Sequence, residues 1–332
     1  MEVRNRLFDC HLLPSEAFPV PVIAIGNLAV GGSGKTPHTE LLLRLLAGHR
    51  TAVLSRGYGR ATQGFRLVEA TDSAREVGDE PLQMKRKVPE ATIAVDGNRR
   101  RGIAKLLEAE PALAFILLDD AFQHRYVRPA LNILLTDYNC RYTHDRILPA
   151  GRLRERAGGA TRADIIIVTK CPPTLSLEEA ATLRNEIAPR AGQKIFFTTL
   201  RYPKTPRPAA NTRGTEAGRL LAVTGIANPT TFLNHWEELG WHIAPLTFPD
   251  HHRFSPADLA RINAAAKGAE LVATTEKDAM RLEAAGGLAP ETSQKLCVLP
   301  VEAAFLHDGE HEFSETISIF AATFNKPINT QP

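Results

Sequence analysis

The stretch Val22-Ile-Ala-Ile-Gly26-Asn-Leu-Ala-Val-Gly31-Gly32-Ser33-Gly34-Lys35-Thr36-Pro37 carries the residue types that phosphate chemistry needs, in a workable order. An apolar strand leads into a loop, Gly26–Gly34, and a helical pattern follows. Glycines let successive backbone N–H groups converge on phosphate oxygens, and the N-terminal end of the next helix adds positive potential. In such a loop Gly31, Gly32, Ser33 and Gly34 cradle a nucleotide. Lys35 neutralises charge on its β- and γ-phosphates, and Thr36 ligates Mg²⁺. The strict spacing G-x-x-x-x-G-K-[ST] is not met. Ala29 stands five before Gly34, and Gly31 and Gly32 lie closer to the lysine instead.

A second group of residues suits metal and proton chemistry. Phe115-Ile-Leu-Leu-Asp119-Asp120-Ala-Phe-Gln123-His124 ends an apolar strand in two carboxylates. Ligands of parallel sheets bind at the carboxyl ends of strands. Mg²⁺ takes one or two carboxylates plus substrate phosphates. Asp119 and Asp120 are therefore candidate metal ligands beside Thr36. Gly78-Asp79-Glu80-Pro81 reads on its own as a helix start, with Asp79 as N-cap and proline in the first turn. Phe248-Pro249-Asp250-His251-His252 is a histidine-bearing loop after a strand.

Positioning these residues takes a large core, and the 332-residue chain has the material for one. It is 43% apolar and 23% charged, which argues against disorder and against a disulfide-stapled miniprotein. Its four cysteines form no CxxC pair, so zinc and redox motifs are not indicated. A net charge of +3 is too weak to argue for nucleic acid. No run reaches the ~18 apolar residues of a spanning helix, and the opening MEVRNRLFDC is too charged for a signal peptide.

Apolar strands alternate with helices: strands at 20–25, 51–55, 91–95, 114–118, 131–136, 164–169 and 194–199, helices at 101–107 and 176–187. That pattern predicts an α/β fold, a mostly parallel sheet of P-loop NTPase type with flanking helices. Residues 202–218, rich in Pro, Thr, Arg and Asn, read as a linker or ribbon. A smaller α/β pattern follows: strands 220–224, 241–247 and 270–275, helices 229–239 and 256–266. The expected division is a P-loop core at 1–201, the linker, a smaller C-terminal α/β domain at 219–325, and a tail at 326–332.

Taken together the motifs resemble one family, the tetraacyldisaccharide 4′-kinases of lipid A biosynthesis. The resemblance rests on Val3–Asp9, Val20–Pro37, Ser55-Arg-Gly-Tyr58, Gly78–Pro81, Asp119–His124, Leu148-Pro-Ala-Gly-Arg-Leu-Arg-Glu155, Thr224-Gly-Ile-Ala227, Phe248–His251 and Thr275-Glu-Lys-Asp278, in family order over most of the chain. It implies transfer of the ATP γ-phosphoryl group to the 4′-hydroxyl of tetraacyldisaccharide 1-phosphate, giving lipid IVA. It also implies Mg²⁺, a lipid partner, and peripheral contact with the cytoplasmic face of the bacterial inner membrane, with no obligate protein partner. Within it Asp79 matches the catalytic base and His251 its partner, and Arg99, Gln123, His124, Arg154 and Glu155 match polar active-site positions. A His–Asp hydrogen bond would orient such a base. An acceptor that carries a 1-phosphate also calls for arginines, for which 99–101 and 152–156 are candidates. Because His251 lies beyond residues 202–218, the two units must approach each other to complete the site.

Two departures from the family pattern stand out. Ala121 replaces the glycine usual after the acidic pair. The hydrophobic stretch usual before Arg-Asn-Arg-Leu is not in this sequence, so the expectation is either a truncated start or another means of docking. Val3, Leu7, Phe8, Leu12 and Leu13 are a poor substitute for a full amphipathic helix. Two other functions also fit a phosphate loop. A GTPase or metallochaperone would read guanine with Asn/Thr-Lys-x-Asp, but Thr169-Lys170-Cys171-Pro172 has proline where aspartate belongs. A non-catalytic nucleotide-binding module would have no need of Asp79 and His251.

Overall fold

The computed structural model describes residues 1–203 and 218–324. The expected linker at 202–218 thus falls almost wholly outside the described residues, as does the tail. Helix α1 (Glu2–Asp9) precedes strand β1 (Val22–Asn27), which runs through the glycine loop into α2 (Lys35–Leu45). Then come β2 (Thr51–Ser55), β3 (Arg66–Leu67), α3 (Ala74–Val77), α4 (Asp79–Lys87), β4 (Thr92–Val95), α5 (Arg99–Ala109) and β5 (Phe115–Leu118). Strands β6 (Leu131–Asp137) and β7 (Ile165–Thr169), helix α6 (Leu177–Ile187) and β8 (Lys194–Arg201) complete the first stretch. The second stretch has β9 (Arg219–Thr224), α7 (Thr230–Glu238), β10 (His242–Thr247), α8 (Pro256–Ala266), β11 (Leu271–Thr275), α9 (Glu276–Ala284), α10 (Pro290–Gln294) and β12 (Leu296–Leu299). Strand β13 (Glu302–Phe305) and α11 (Gly309–Phe324) come last.

Nine strands form one sheet in the order β13-β8-β7-β6-β1-β5-β2-β4-β3. The strands from β8 to β4 run parallel, and β13 and β3 pair antiparallel at the two edges. The parallel strands are apolar throughout because helices cover both faces: all of Ile165-Ile-Ile-Val168 is buried. The leucine stripe of α2 packs onto the sheet as expected, with Leu42 and Leu46 each 1% exposed. Strand β1 lies between β5 and β6. The chain leaves it towards β2 on one side and later builds β6 on the other, so a crevice opens at the carboxyl end of β1. The second sheet, β10-β9-β11-β12, is wholly parallel.

Two sequence expectations are corrected. Strand β1 is shifted two residues along, so Gly26 and Asn27 belong to the strand and not to the loop. The reason is pairing: Gly26 and Asn27 stand opposite Leu134 and Leu135 of β6, and position 26 takes glycine because a Cβ there would stand 2.8 Å from the Phe122 backbone nitrogen and 2.9 Å from its Cβ. The second correction concerns residues 302–324, expected to belong to the smaller unit. Strand β13 instead pairs with β8, from Glu302↔Arg201 to Phe305↔Thr198. Helix α11 then buries Phe313 and Ile317, each 1% exposed, in the core of the large sheet. Burial of each side chain contributes roughly 1.5–3 kcal/mol, which an α/β hydropathy pattern cannot assign to one sheet or the other.

The Gly26 contact is testable. Gly26→Ala is expected to cost about 2 kcal/mol of unfolding free energy through overpacking. Gly97→Ala, where an added Cβ meets nothing within 4 Å, is expected to change it by less than about 0.5 kcal/mol. Urea denaturation of both variants checks the pair; equal effects would contradict the packing account.

Candidate active site

The glycine loop is held open by side chains around it. Gly31 and Gly34 take left-handed backbone angles, φ 108° and 81°, and space beside Gly31 and Gly32 is free for at least 4 Å around an added Cβ. Their amides therefore border room for a phosphate. Asn27 Nδ2 donates to Ser33 Oγ at 2.9 Å and Thr169 Oγ1 donates to the Ser33 carbonyl at 2.9 Å. From outside, residues 152–154 clamp the loop: Val30 N donates to Arg152 O and Arg154 N to Leu28 O. His38, 1% exposed, lies between the Gly34 carbonyl (Nδ1, 2.7 Å) and Thr198 Oγ1 (Nε2, 2.9 Å). Burial pushes its imidazole down to about 4, although the Gly34 carbonyl favours the protonated ring. Near neutral pH His38 is thus neutral and donates from Nδ1 to the loop.

Lys35 reaches from the first turn of α2 to within 3.6 Å of Asp120 Oδ1. Asp120 follows the end of β5 in a left-handed conformation, φ 48°, and also takes Arg154 Nη1 at 3.2 Å. Asp119 is 1% exposed and accepts from Ser55 Oγ at 3.2 Å and Thr39 Oγ1 at 3.4 Å. Burial, and then the negative charges of Glu80 and Asp120, push its carboxyl up to about 6 against the pull of Lys35 and Arg99. This local excess of negative charge is what a divalent cation would relieve. Thr36, 2% exposed, supplies a hydroxyl one residue after Lys35. Among the described residues no three His, Cys, Asp or Glu side chains gather into a metal cage, and a Mg²⁺ held mainly by nucleotide phosphates needs only one or two carboxylates. The donor set fits that kind of ion.

On the opposite wall Asp79 opens α4. It is not the N-cap expected from the sequence: Gly78 occupies that position, at φ 96° and ψ 153°. A Cβ on Gly78 would press on Gly57 at 3.3 Å, so the N-cap is a glycine and Asp79 falls inside the helix. The Asp79 carboxylate comes within 3.9 Å of His251 Nδ1. That is too far for a hydrogen bond. The expected direct His–Asp bond is replaced by Arg281 of α9, which donates to Asp79 Oδ2 and to His251 Nδ1. Next to it Glu80 pairs with Lys277. Burial alone would raise Glu80, but Lys277, helped by Lys35 and His251, holds it down to about 2. Glu80 thus shares its electrostatic field with both the lysine of the loop and the histidine of the second unit. A cavity of about 760 Å³ opens there, lined by Tyr58, Arg60, Asp79, His251, Arg253 and Arg281 among others.

The remaining expected residues divide into two groups. Gln123 joins the site: its amide donates to Asn27 O at 2.7 Å and Glu155 Oε1 at 3.0 Å, and Arg154 donates to it at 3.4 Å. Glu155, 5% exposed, also takes Asn5 Nδ2 at 2.7 Å and Arg162 Nη2 at 2.8 Å, which ties α1 to the site. Arg99 is set back. It is 3% exposed and donates to the main-chain carbonyls of Asp96 and Asp119. His124 is half-buried and pushed down to about 4 by burial and by Arg99, Arg4, Arg100 and Arg56. Of the other candidate arginines, Arg101 pairs with Asp96, Arg100 with Glu16 and Arg156 with Glu2. Sequence reasoning overlooked Glu80, Lys277 and Arg281. The signal was present: Lys277 lies in the quoted Thr275–Asp278 motif, and Arg281 is one helical turn after Asp278.

Relatives match over nearly the whole chain. The family model described as LpxK, tetraacyldisaccharide-1-P 4′-kinase, matches residues 1–319. The tetraacyldisaccharide 4′-kinase of Parabacteroides distasonis is 44% identical, with 95% of this chain and 89% of that protein covered. The one from Flavobacterium johnsoniae is 43% identical, with 96% and 91% covered. Among solved structures, LpxK from Aquifex aeolicus in complex with ATP superposes with a TM-score of 0.72 at 29% identity, over 96% of this chain and 94% of that one.

The neutral state of His38 has a measurable sign. Its folded value of about 4 lies below the ordinary histidine value, so the unfolded chain binds more protons. Its contribution is therefore intact above the unfolded value and lost as pH falls from about 6.5 towards 4. By pH 5 the loss is roughly 2 kcal/mol. His38→Gln is expected to flatten the stability–pH curve over that window by close to one proton, as read from urea titrations at pH 7.5 and 5. An unchanged slope would contradict the assignment.

Proposed function

The chain belongs to the tetraacyldisaccharide 4′-kinase family, and on that premise we propose which residues carry the reaction. The activity is the lipid A pathway kinase step: ATP gives its γ-phosphoryl group to the 4′-hydroxyl of tetraacyldisaccharide 1-phosphate, and lipid IVA forms. The GTPase and binding-module alternatives fall away with that membership. In our reading the amides of Gly31–Gly34 and the Ser33 hydroxyl cradle the ATP phosphates, and Lys35 takes charge that develops on the β- and γ-phosphates. The observation that carries this is the placement of Lys35, 3.6 Å from Asp120, where the glycine loop enters α2 at the carboxyl end of β1.

Thr36, Asp119 and Asp120 would hold Mg²⁺, which neutralises phosphate charge when bound. Asp79 accepts the 4′-hydroxyl proton as the new O–P bond forms and the bond to the ADP leaving group breaks. His251 stays beside it as its partner. Arg154 steadies Asp120, and Gln123 and Glu155 fix the loop behind it. Arg99 supports the turn after β5 from behind through the Asp96 and Asp119 carbonyls, and His124 lies behind the same turn with its basicity depressed by burial and the surrounding arginines. Phosphoryl transfer depends mainly on positioning and charge neutralisation, so a carboxylate base of modest strength suffices.

We also propose peripheral contact with the cytoplasmic face of the bacterial inner membrane. No helix among the described residues is long and apolar enough to cross a membrane. Exposed Met1, Val3 and Leu12, at 57%, 74% and 72%, stand with exposed Arg6 around α1, a mixture suited to an anionic interface. As working units we take a P-loop core, including 302–324, and an α/β unit at 219–299.

The test is ATP-dependent phosphorylation of tetraacyldisaccharide 1-phosphate in detergent micelles, followed by mass. Gain of one phosphate is expected. Asp79→Ala should lower turnover about 100-fold or more while ATP still binds. Lys35→Ala should weaken ATP binding itself. Full turnover in Asp79→Ala would refute its role as base.

A further inference from the structure

We propose that Arg281 is a positioning residue for phosphoryl transfer, the guanidinium through which the second sheet fixes Asp79 and His251 relative to each other. This rests on the reading of Asp79 and His251 given above. A guanidinium has five N–H groups in a rigid planar fork. In Arg281 each has an acceptor. Nε and Nη2 both donate to Asp79 Oδ2, at 2.8 and 2.5 Å. The second hydrogen of Nη2 goes to His251 Nδ1 at 3.1 Å. Nη1 donates to the Gly225 carbonyl at 2.9 Å and to Asp278 Oδ1 at 3.1 Å.

Two consequences follow. With five donors engaged and a side chain only 9% exposed, Arg281 has no N–H left to bind a phosphate of either substrate. Its part is to hold other groups. It also makes the connection that Asp79 and His251 do not make directly across 3.9 Å. His251 Nδ1 accepts from Arg281, so the neutral imidazole carries its proton on Nε2.

The fork is itself held rigidly. Asp278 is fully buried, and its carboxylate accepts from Gly225 N at 2.9 Å and from Thr275 Oγ1 at 2.8 Å. His251 N donates to the Gly225 carbonyl at 3.2 Å. One side chain therefore joins α4, the turn after β9, the turn bearing His251, and α9. Misplacement of a proton acceptor by about 1 Å is enough to slow an enzyme about 100-fold.

A lysine cannot reproduce this, because a single ammonium cannot place parallel N–H groups on a carboxylate while a third reaches the imidazole. The test uses the full chain with tetraacyldisaccharide 1-phosphate and ATP. Arg281→Ala and Arg281→Lys should each lower kcat about 100-fold, with KM for ATP changed less than about threefold. Added methylguanidinium should restore at least about a tenth of the lost kcat in Arg281→Ala and nothing in Asp79→Ala. Nitrogen-15 NMR of the unaltered protein should show His251 Nδ1 unprotonated when the ring is neutral.

Wild-type kcat in Arg281→Lys would overturn the proposal. So would a proton on Nδ1, or a loss in Arg281→Ala that comes with lost ATP affinity and no chemical rescue. If Arg281→Ala does not fold, Arg281→Lys and the NMR measurement decide alone. Turnover that survives Asp79→Asn would instead refute the role of Asp79 itself. Loss in Asp79→Asn with full activity in Arg281→Ala would refute this inference and leave that role intact.

Discussion

Four carboxylates, Asp79, Glu80, Asp119 and Asp120, share one cleft, and everything around them answers to the cost of that charge. Like charges in a poorly hydrated site must be matched by cations or neutralised. Asp120 is matched by Lys35 and Arg154, Glu80 by Lys277 and Asp79 by Arg281. Asp119 has the hydroxyls of Ser55 and Thr39 on its carboxylate, and it is the one pushed up to about 6. Two of the matching cations come from a single helix, α9, of the second sheet. Without that helix Asp79 and Glu80 would lose the cations that pair with them.

The same logic extends behind the cleft. Lys87 of α4 lies between Glu40 of α2, at 2.8 Å, and Glu276 at the start of α9, at 3.1 Å. Gln83 donates to both carboxylates. Glu40 is almost fully buried, and burial drives its carboxyl up to about 7 despite Lys87. Removal of Lys87 leaves the two carboxylates without their cation, at a cost of about 3–5 kcal/mol. Because α2 begins at Lys35, this group mechanically couples the helix of the phosphate loop to the second sheet.

What was legible in the sequence was mostly local. A strand, glycines and Lys35-Thr36 act within a few residues of one another, so the loop could be read directly. The apolar runs of β5 and β7 similarly declared a buried parallel sheet. Misreadings arose where distant backbone decides. The end of β1 depends on its pairing with β6, more than 100 residues on, and the N-cap of α4 on Gly57 pressing against Gly78. The sequence placed Arg281 one helical turn after Asp278, but its bonds to Asp79 and His251 span 202 and 30 positions, which local patterns do not reveal. The family resemblance marked Asp79 and His251 but carried no information about what lies between them.

The pairing of β13 with β8 has a consequence for biosynthesis. Glu302 sits opposite Arg201, so everything between them is an excursion inserted into one sheet, with its entry and exit side by side. On a ribosome the large sheet can acquire its last edge strand and the cover of α11 only after the whole second sheet has emerged. Such long-range closure is slow, since the chain must be gathered before the contact rewards it. Until then β8 presents an open edge, a surface on which nascent chains can pair wrongly. The kinase core is therefore finished last, not first, although its phosphate loop is made within the first 40 residues.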